Sequence, residues 1–167
     1  MLVYLGLGSN LGIRAQLIRQ ALEAMPAAEL TVIQVSSLYE TEPWGVGSQP
    51  RFLNAVCVIE TELTPEALLV AVKKIEQALG RQPGVHWGPR PIDIDILLYG
   101  PIQVHTTDLT IPHPGMLWRA SVLVPMVELA SDLMHPLTGR SMRDHLRDLG
   151  PTPDVAPYPP GLPVKPQ

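Results

Sequence analysis

The stretch WGPRPIDIDILLYG, from Trp87 to Gly100, is the most informative part of the chain. An arginine between two prolines leads there into two aspartates that a single residue separates. A β-strand turns successive side chains to opposite faces, so Asp93 and Asp95 share one face and the isoleucines around them share the other. The spacing therefore predicts a strand with two carboxylates roughly 6–7 Å apart on one face.

The residue types in this stretch indicate a metal and phosphate site. Two carboxylates at this separation disfavour each other's ionised form unless a cation lies beside them. Mg²⁺ fits such a pair when substrate phosphates supply further oxygen ligands. Arg90, three residues before Asp93, carries a planar charge that can hold a phosphate through two hydrogen bonds. The pattern favours phosphoryl-type transfer, and the alternative is an edge strand whose acidic face is only solvated.

The overall composition predicts one globular domain. The chain has 167 residues, of which 46% are apolar and 17% are charged, enough for a substantial core. The single cysteine, Cys57, excludes an intrachain disulfide, as is typical of proteins of the reducing cytosol. No apolar run approaches the ~18 residues of a membrane span, and the net charge of −4 argues against a nucleic-acid-binding protein. We expect a cytoplasmic monomer without nucleic-acid or membrane partners.

Hydrophobic periodicity on both sides of the stretch predicts the other elements. Strand patterns lie at residues 2–7, 30–38 and 52–61, and a helix pattern follows the first and the third of them. Residues 102–105 read as a short partner of the aspartate strand. The order strand, helix, strand, strand, helix, strand is the split βαβ arrangement (βαββαβ) of ferredoxin-like folds. The expected class is α+β, with an antiparallel sheet that two helices cover on one face.

The end of the chain differs in character from the rest. A helical appendage is expected to follow the sheet, and we assign residues 1–150 to one domain. Seven of the residues from 151 to 167 are proline, which predicts an extended or disordered tail without chemistry.

A glycine-rich segment, GLGSNLG from Gly6 to Gly12, invites a nucleotide-binding interpretation. Its spacing is one residue longer than the dinucleotide fingerprint, and it lacks the Gly-Lys-Ser/Thr of a phosphate-binding P-loop. The favoured interpretation is a tight turn in which Ser9 or Asn10 caps the following helix.

The third predicted strand carries a candidate site for a flat heterocycle. Phe52 and Asn54 are two residues apart and therefore share a face. An aromatic plane beside an amide that both donates and accepts hydrogen bonds suits such a ligand. The alternative is a core phenylalanine beside a turn-capping asparagine.

Six blocks, in order along the chain, resemble one known family. They are GLGSNLG, SSLYETEPWG, QPRFLNAV, IEQALGR, WGPRPIDIDILLYG and LTIPHPGM followed by Arg119, and they span residues 3–133. The chain resembles the 6-hydroxymethyl-7,8-dihydropterin pyrophosphokinase family of folate biosynthesis. The resemblance implies a ferredoxin-like fold and transfer of a pyrophosphoryl group from ATP to the hydroxymethyl oxygen of the pterin. The rival class is a ferredoxin-like small-ligand-binding or regulatory module without turnover.

The resemblance also implies roles for individual residues. Asp93 and Asp95 would ligate two Mg²⁺ ions, and Arg81 and Arg90 would be the catalytic arginines that close over ATP. The matched nucleotide-site positions are Glu76, Arg81, Trp87, Arg90, Ile96, Thr110, His113 and Arg119. The matched pterin-pocket positions are Thr41, Pro43, Trp44, Phe52, Asn54 and Trp87. This chain has Ser121 where the family usually has an aromatic residue.

Overall fold

An antiparallel sheet of six strands forms the centre of the computed structural model, which describes residues 1–43, 48–84 and 88–159. The strands are β1 (Leu2–Ser9), β2 (Thr31–Val35), β3 (Tyr39–Thr41), β4 (Phe52–Glu60), β5 (Asp93–Tyr99), β6 (Val104–His105), β7 (Thr110–Ile111) and β8 (Val155–Pro157). The main sheet has the order β5-β1-β4-β3-β8, and β2 also pairs with β4. Strands β6 and β7 form a separate ribbon. The four main helices are α1 (Arg14–Ala24), α2 (Pro65–Ala78), α3 (Ala120–Ala130) and α4 (Met142–Leu149).

The sheet separates two apolar layers. On one face, Val3, Leu5 and Leu7 of β1 pack with buried side chains of α1 and α2. On the other face, Val56 and Leu97 pack with buried side chains of α3 and α4. Because both faces are covered, β1 and β4 are almost continuously apolar, as is typical of central strands.

Two local features set the ends of α2, the helix that carries the buried residue Glu76. Thr64 caps the helix by accepting a hydrogen bond from the amide of Ala67 at 3.2 Å, and Pro65 occupies the first helical position. The helix stops before Gly80, whose φ of 94° lies in the left-handed region that glycine adopts without strain.

The prediction that Ser9 or Asn10 caps α1 is wrong. Ser9 belongs to β1, and the residue at the cap position is Ile13, which makes no side-chain cap hydrogen bond. The strand continues two residues further than its apolar run because Ser9 pairs in register with Leu53 of β4. The side chain of Asn10 does not cap α1 and instead accepts a hydrogen bond from the backbone amide of Arg90.

The main prediction of the fold is confirmed, with two differences in detail. The strands β1, β2, β4 and β5, with α1 and α2 between them, form the expected ferredoxin-like antiparallel sheet. Residues 102–105 do not form a strand that pairs with the aspartate strand, because β6 pairs with β7 and only Ile102, which precedes β6, forms an isolated bridge with Tyr99 of β5. Part of the segment assigned to the tail joins the sheet as β8. None of the helices in the described ranges is long and apolar enough to cross a membrane.

Candidate active site

The two aspartates lie at the start of β5, opposite glycines of the neighbouring strand. Gly8 lies opposite Asp93, and Gly6 lies opposite Asp95. On its other side Gly8 lies opposite Asn54 of β4. Opposite residues of an antiparallel sheet project to the same face, so the missing side chain of Gly8 leaves a gap between Asp93 and Asn54. Two strand spacings make this gap roughly 10 Å wide at the backbone.

Glycine at position 8 keeps this gap open. A Cβ added to Gly8 would lie 3.2 Å from Oδ1 of Asn54 and 3.6 Å from the ring of Phe52. The interpretation of GLGSNLG as a simple turn therefore missed that Gly8 lies within β1 and leaves strand backbone exposed between Asp93 and Asn54. The signal was present, because the segment is the first of the six blocks of the resemblance.

Asp93 is held between two arginines. Nη1 of Arg81 contacts its Oδ1, and Nη2 of Arg90 lies 2.9 Å from its Oδ2. Burial by itself would raise the pKa of Asp93, but the charges of Arg90 and Arg81 outweigh burial and lower the pKa below its ordinary value. Asp93 is therefore ionised at neutral pH, and the positive charges of Arg81 and Arg90 balance its negative charge.

Asp95 has the opposite character. Burial and the negative charge of Asp93 raise its pKa to about 7, and the charge of Arg119 opposes this rise only in part. Nε2 of His113 lies 3.8 Å from Oδ2 of Asp95. Burial and Arg119 lower the pKa of His113, so the imidazole adds little positive charge at neutral pH. A cation bound beside Asp95 would stabilise the ionised carboxylate.

Glu76 supports this charged cluster from α2. Its carboxylate is 1% exposed and accepts hydrogen bonds from the amide of Ile94 at 2.7 Å and from Nη1 of Arg81 at 2.9 Å. Nζ of Lys73 lies 3.1 Å from its other oxygen. Glu76 thus satisfies a backbone donor on the free edge of β5 and fixes Arg81 beside Asp93.

The aromatic and amide side chains lie on the other side of the gap. Nδ2 of Asn54 donates a hydrogen bond of 2.6 Å to Oγ1 of Thr41, which is 4% exposed. This bond leaves Oδ1 of Asn54 directed towards Gly8. The guanidinium of Arg90 lies 5.3 Å from the centre of the Phe52 ring. Arg90 therefore contacts the aromatic side of the gap and the acidic side at once.

Two clefts meet at the aspartates. The residues that line only the first cleft include Gly8, Thr41, Phe52, Asn54 and Ser121. The residues that line only the second cleft, of about 510 Å³, include Lys73, Arg81, Gln82, His113 and Gly115. The residues that line both clefts are Arg90, Asp93, Asp95 and Arg119. A group bound in one cleft therefore faces a group bound in the other across the two carboxylates.

Some residues that the resemblance matched lie away from these linings. Ile96 is buried in the core between the sheet and α1 and α2, so its side chain does not face the second cleft. Thr110 lies in the β6–β7 ribbon, and Pro43 lines a third cavity next to the first cleft. Trp44 and Trp87 lie outside the described residues.

Asn10 is a site residue that the sequence did not indicate. The backbone amide of Arg90 donates to Oδ1 of Asn10 at 2.9 Å, and the backbone amide of Asn10 donates to the carbonyl of Arg90 at 3.2 Å. Nδ2 of Asn10 donates to Oε1 of Gln49 at 3.1 Å and to the carbonyl of Pro50 at 3.2 Å. This buried side chain ties together the two segments that lead into β4 and β5.

The carboxylates fit a magnesium ion that substrate oxygens help to bind. Within the described ranges no cluster of three or more histidine, cysteine or carboxylate side chains could hold a metal ion alone. Mg²⁺ characteristically binds through one or two carboxylates and completes its shell with water and phosphate oxygens. A carboxylate that binds a cation together with a ligand is expected to have a raised pKa while the cation is absent. The raised pKa of Asp95 agrees with this expectation.

The chain matches a known family over most of its length. Residues 4–131 match the family described as 7,8-dihydro-6-hydroxymethylpterin-pyrophosphokinase. A Methylorubrum extorquens protein named 2-amino-4-hydroxy-6-hydroxymethyldihydropteridine pyrophosphokinase is 45% identical over 89% of this chain and 94% of its own length. The Folic acid synthesis protein fol1 of Pneumocystis carinii is 43% identical over 88% of this chain, which spans only 20% of that protein.

A comparison of structures supports the same fold. The crystal structure of Plasmodium falciparum HPPK-DHPS wild type with pteroate covers 88% of this chain with a TM-score of 0.71, and this chain covers 42% of that one. The sequence identity is 17%, so this likeness concerns the fold alone. The match over residues 4–131 and the 45% identity to the bacterial relative show that the chain belongs to the 7,8-dihydro-6-hydroxymethylpterin-pyrophosphokinase family.

Proposed function

We propose that the chain transfers a pyrophosphoryl group from ATP to the hydroxymethyl oxygen of 6-hydroxymethyl-7,8-dihydropterin, in folate synthesis. In this reaction the hydroxymethyl group releases its proton to solvent and its oxygen bonds to the β-phosphorus, the bond from that phosphorus to the α-phosphate oxygen breaks, and AMP leaves. One observation carries the proposal: Arg90, Asp93, Asp95 and Arg119 line both clefts. An acceptor in one cleft and a donor in the other would meet where anionic charge can be bound.

The first cleft supports binding of the pterin. A pterin is a flat bicycle with hydrogen-bond donors and acceptors along one edge, and the cleft offers the ring of Phe52 beside the amide of Asn54. The hydrogen bond to Thr41 fixes which end of that amide faces the ligand. A side chain at position 8 would narrow the space beside Asn54 and Phe52, and glycine avoids this.

The second cleft supports binding of ATP. Lys73, Arg81 and Arg119 contribute positive charge to its lining, as a triphosphate requires. Its volume of about 510 Å³ lies within the usual range for small-molecule sites. Arg81 and Arg90 contact Asp93 in the ligand-free chain, so both are close to the place where the transferred group would pass.

We assign Asp93 and Asp95 to two Mg²⁺ ions. Magnesium bound there with ATP would neutralise the phosphates and help to align donor and acceptor. Ionisation of Asp95 would then be favoured, because the ion offsets the repulsion from Asp93. Arg81 and Arg90 would exchange their contacts with Asp93 for contacts with the phosphates, where they stabilise the charge of the transferred group.

The test is release of AMP from ATP, with ATP, Mg²⁺ and the pterin each omitted in turn. We expect AMP only when all three are present. Asp95→Asn should abolish AMP release, whereas Asp132→Asn, a matched change at a carboxylate that is 81% exposed, should leave it unchanged. ADP as the product would indicate ordinary phosphoryl transfer. No nucleotide turnover would favour a ligand-binding module instead.

A further inference from the structure

Residues 151–157 form one wall of the region around the first cleft. Strand β8 pairs with β3, with Val155 opposite Thr41 and Ala156 opposite Glu40. Residues 151, 152, 154 and 155 also line the third cavity, together with Thr41 and Ser121, which belong to the first cleft as well. Residues 151–155 lie beyond residues 4–131, the part of the chain that matches the family.

We propose that residues 151–158, here called the C-terminal segment, are a positioning element for the pterin site. The inference rests on the proposed function. Thr41 orients the amide of Asn54, and the segment holds the strand that carries Thr41. Loss of the segment's pairing would therefore weaken pterin binding without a comparable effect on the nucleotide.

The length of β3 is the first argument. It has three residues, and its side away from β4 would be an unpaired edge without β8. So short a strand makes few hydrogen bonds to β4, and a second partner restricts its motion. Thr41 is the last residue of β3, where fraying would begin. Displacement of Thr41 would release Asn54 to rotate and present the wrong atom to the ligand.

Tyr158 anchors the segment to the body of the protein. Its backbone amide donates to the carbonyl of Leu38 at 2.9 Å, and its ring packs against the core between the sheet and α1 and α2. The guanidinium of Arg14 lies 5.9 Å from the ring centre. The same guanidinium donates to Glu40 at 2.9 Å and to the carbonyl of Arg51 at 2.8 Å. Arg14 thus links the C-terminal segment to β3 and to the residue that precedes β4.

The alternation of hydrogen bonds identifies which positions of the segment face β3. In an antiparallel pair, positions with and without inward hydrogen bonds alternate. Tyr158 bonds inward to Leu38, so Ala156 is the next inward position and Pro157 is an outward one. A proline at an outward position costs no bond to the sheet, which explains why β8 tolerates Pro157.

The test measures pterin and nucleotide binding separately by calorimetry, with Mg²⁺ and the non-hydrolysable analogue α,β-methylene-ATP. We expect Tyr158→Ala to weaken pterin binding to the nucleotide-loaded chain by about tenfold. Nucleotide binding should change by less than about twofold. Tyr158→Phe keeps the ring and should restore pterin binding. Pterin affinity unchanged in Tyr158→Ala would overturn the inference.

A second pair of variants acts on the backbone. Ala156→Pro removes an inward donor and should also weaken pterin binding, whereas Pro157→Ala, at an outward position, should not. Equal losses of pterin and nucleotide affinity in Ala156→Pro and Tyr158→Ala, with lower melting temperatures, would show general destabilisation and overturn the positioning role. An unaltered chain that binds the nucleotide analogue but no pterin would instead contradict the proposed function.

Discussion

Asn10 and Arg90 exchange two hydrogen bonds across 80 positions of sequence. Oδ1 of Asn10 accepts from the amide of Arg90 at 2.9 Å, and the amide of Asn10 donates to the carbonyl of Arg90 at 3.2 Å. Asn10 is 1% exposed, and its Nδ2 also holds Gln49 and Pro50. The backbone that carries the guanidinium of Arg90 is therefore fixed relative to the start of β4.

We predict that Asn10→Ala impairs both stability and turnover. The change removes three hydrogen bonds of the buried Asn10 side chain, among them the acceptor of the partly buried amide of Arg90, which should cost about 1–3 kcal/mol of unfolding free energy. It should also lower kcat more than it raises the KM for ATP, because Arg90 would act on the transferred group. Denaturant unfolding and steady-state kinetics measure the two effects. Gln49→Ala keeps both bonds between Asn10 and Arg90 and should have smaller effects; equal effects would contradict the role of this link.

Asp95 should make the stability of the metal-free chain depend on pH. Its pKa is about 7 in the folded chain against an ordinary 3.8. Between these values the folded state holds a proton that the unfolded state has released, so stability falls as the pH rises towards about 7. Asp95→Asn cannot ionise, and its melting temperature in EDTA should exceed that of the unaltered chain by on the order of a few °C at about pH 8.

The difference between Asp95→Asn and the unaltered chain should shrink as the pH is lowered towards about 4.5, because Asp95 then regains its proton in the folded state. Asp132→Asn, the same change at a carboxylate that is 81% exposed, serves as the control. A difference that is independent of pH would contradict the assignment.

Glu76→Gln should weaken nucleotide binding and stability together. The buried carboxylate of Glu76 accepts from Arg81 and from the amide of Ile94, and the neutral side chain would leave Arg81 less firmly placed. We expect a loss of about 1–3 kcal/mol of unfolding free energy and weaker binding of α,β-methylene-ATP. Glu66→Gln is the matched control, because it makes the same change at an exposed carboxylate of α2 that lines neither cleft. Normal nucleotide affinity in Glu76→Gln would exclude the supporting role.

Ser121→Phe should strengthen pterin binding. Ser121 lines the first cleft with Phe52, and a second ring there could cover the free face of a bound pterin. An aromatic contact of this kind is worth about 0.5–1.5 kcal/mol, or roughly a two- to tenfold lower Kd. Calorimetry with the pterin and α,β-methylene-ATP measures the change. Ser121→Ala adds no ring and should bind as the unaltered chain does. Weaker binding in Ser121→Phe would mean that the cleft has no room for a second ring.

Local patterns predicted the elements of the fold well. The strands predicted at residues 2–7 and 52–61 and the helix after each of them are present as β1, β4, α1 and α2, because apolar runs and helical periodicity depend on neighbours in sequence. The pairing of β6 with β7 was missed. Two-residue strands have almost no periodic signal, so their partners depend on the path of the surrounding chain.

By itself the sequence determined the spacing of Asp93 and Asp95, and with it their shared face, since strand geometry fixes the direction of alternate side chains. It also determined the family resemblance. Only the tertiary structure decided that Gly8 opens the space between the aspartates and Asn54, and that Asn10 links the segments before β4 and β5. The different acidities of Asp93 and Asp95 depend on burial and on charges brought from α2 and from positions 90 and 119. The contacts of Gly8 with Asn54 and of Asn10 with Arg90 join residues far apart in sequence, and no local pattern encodes them.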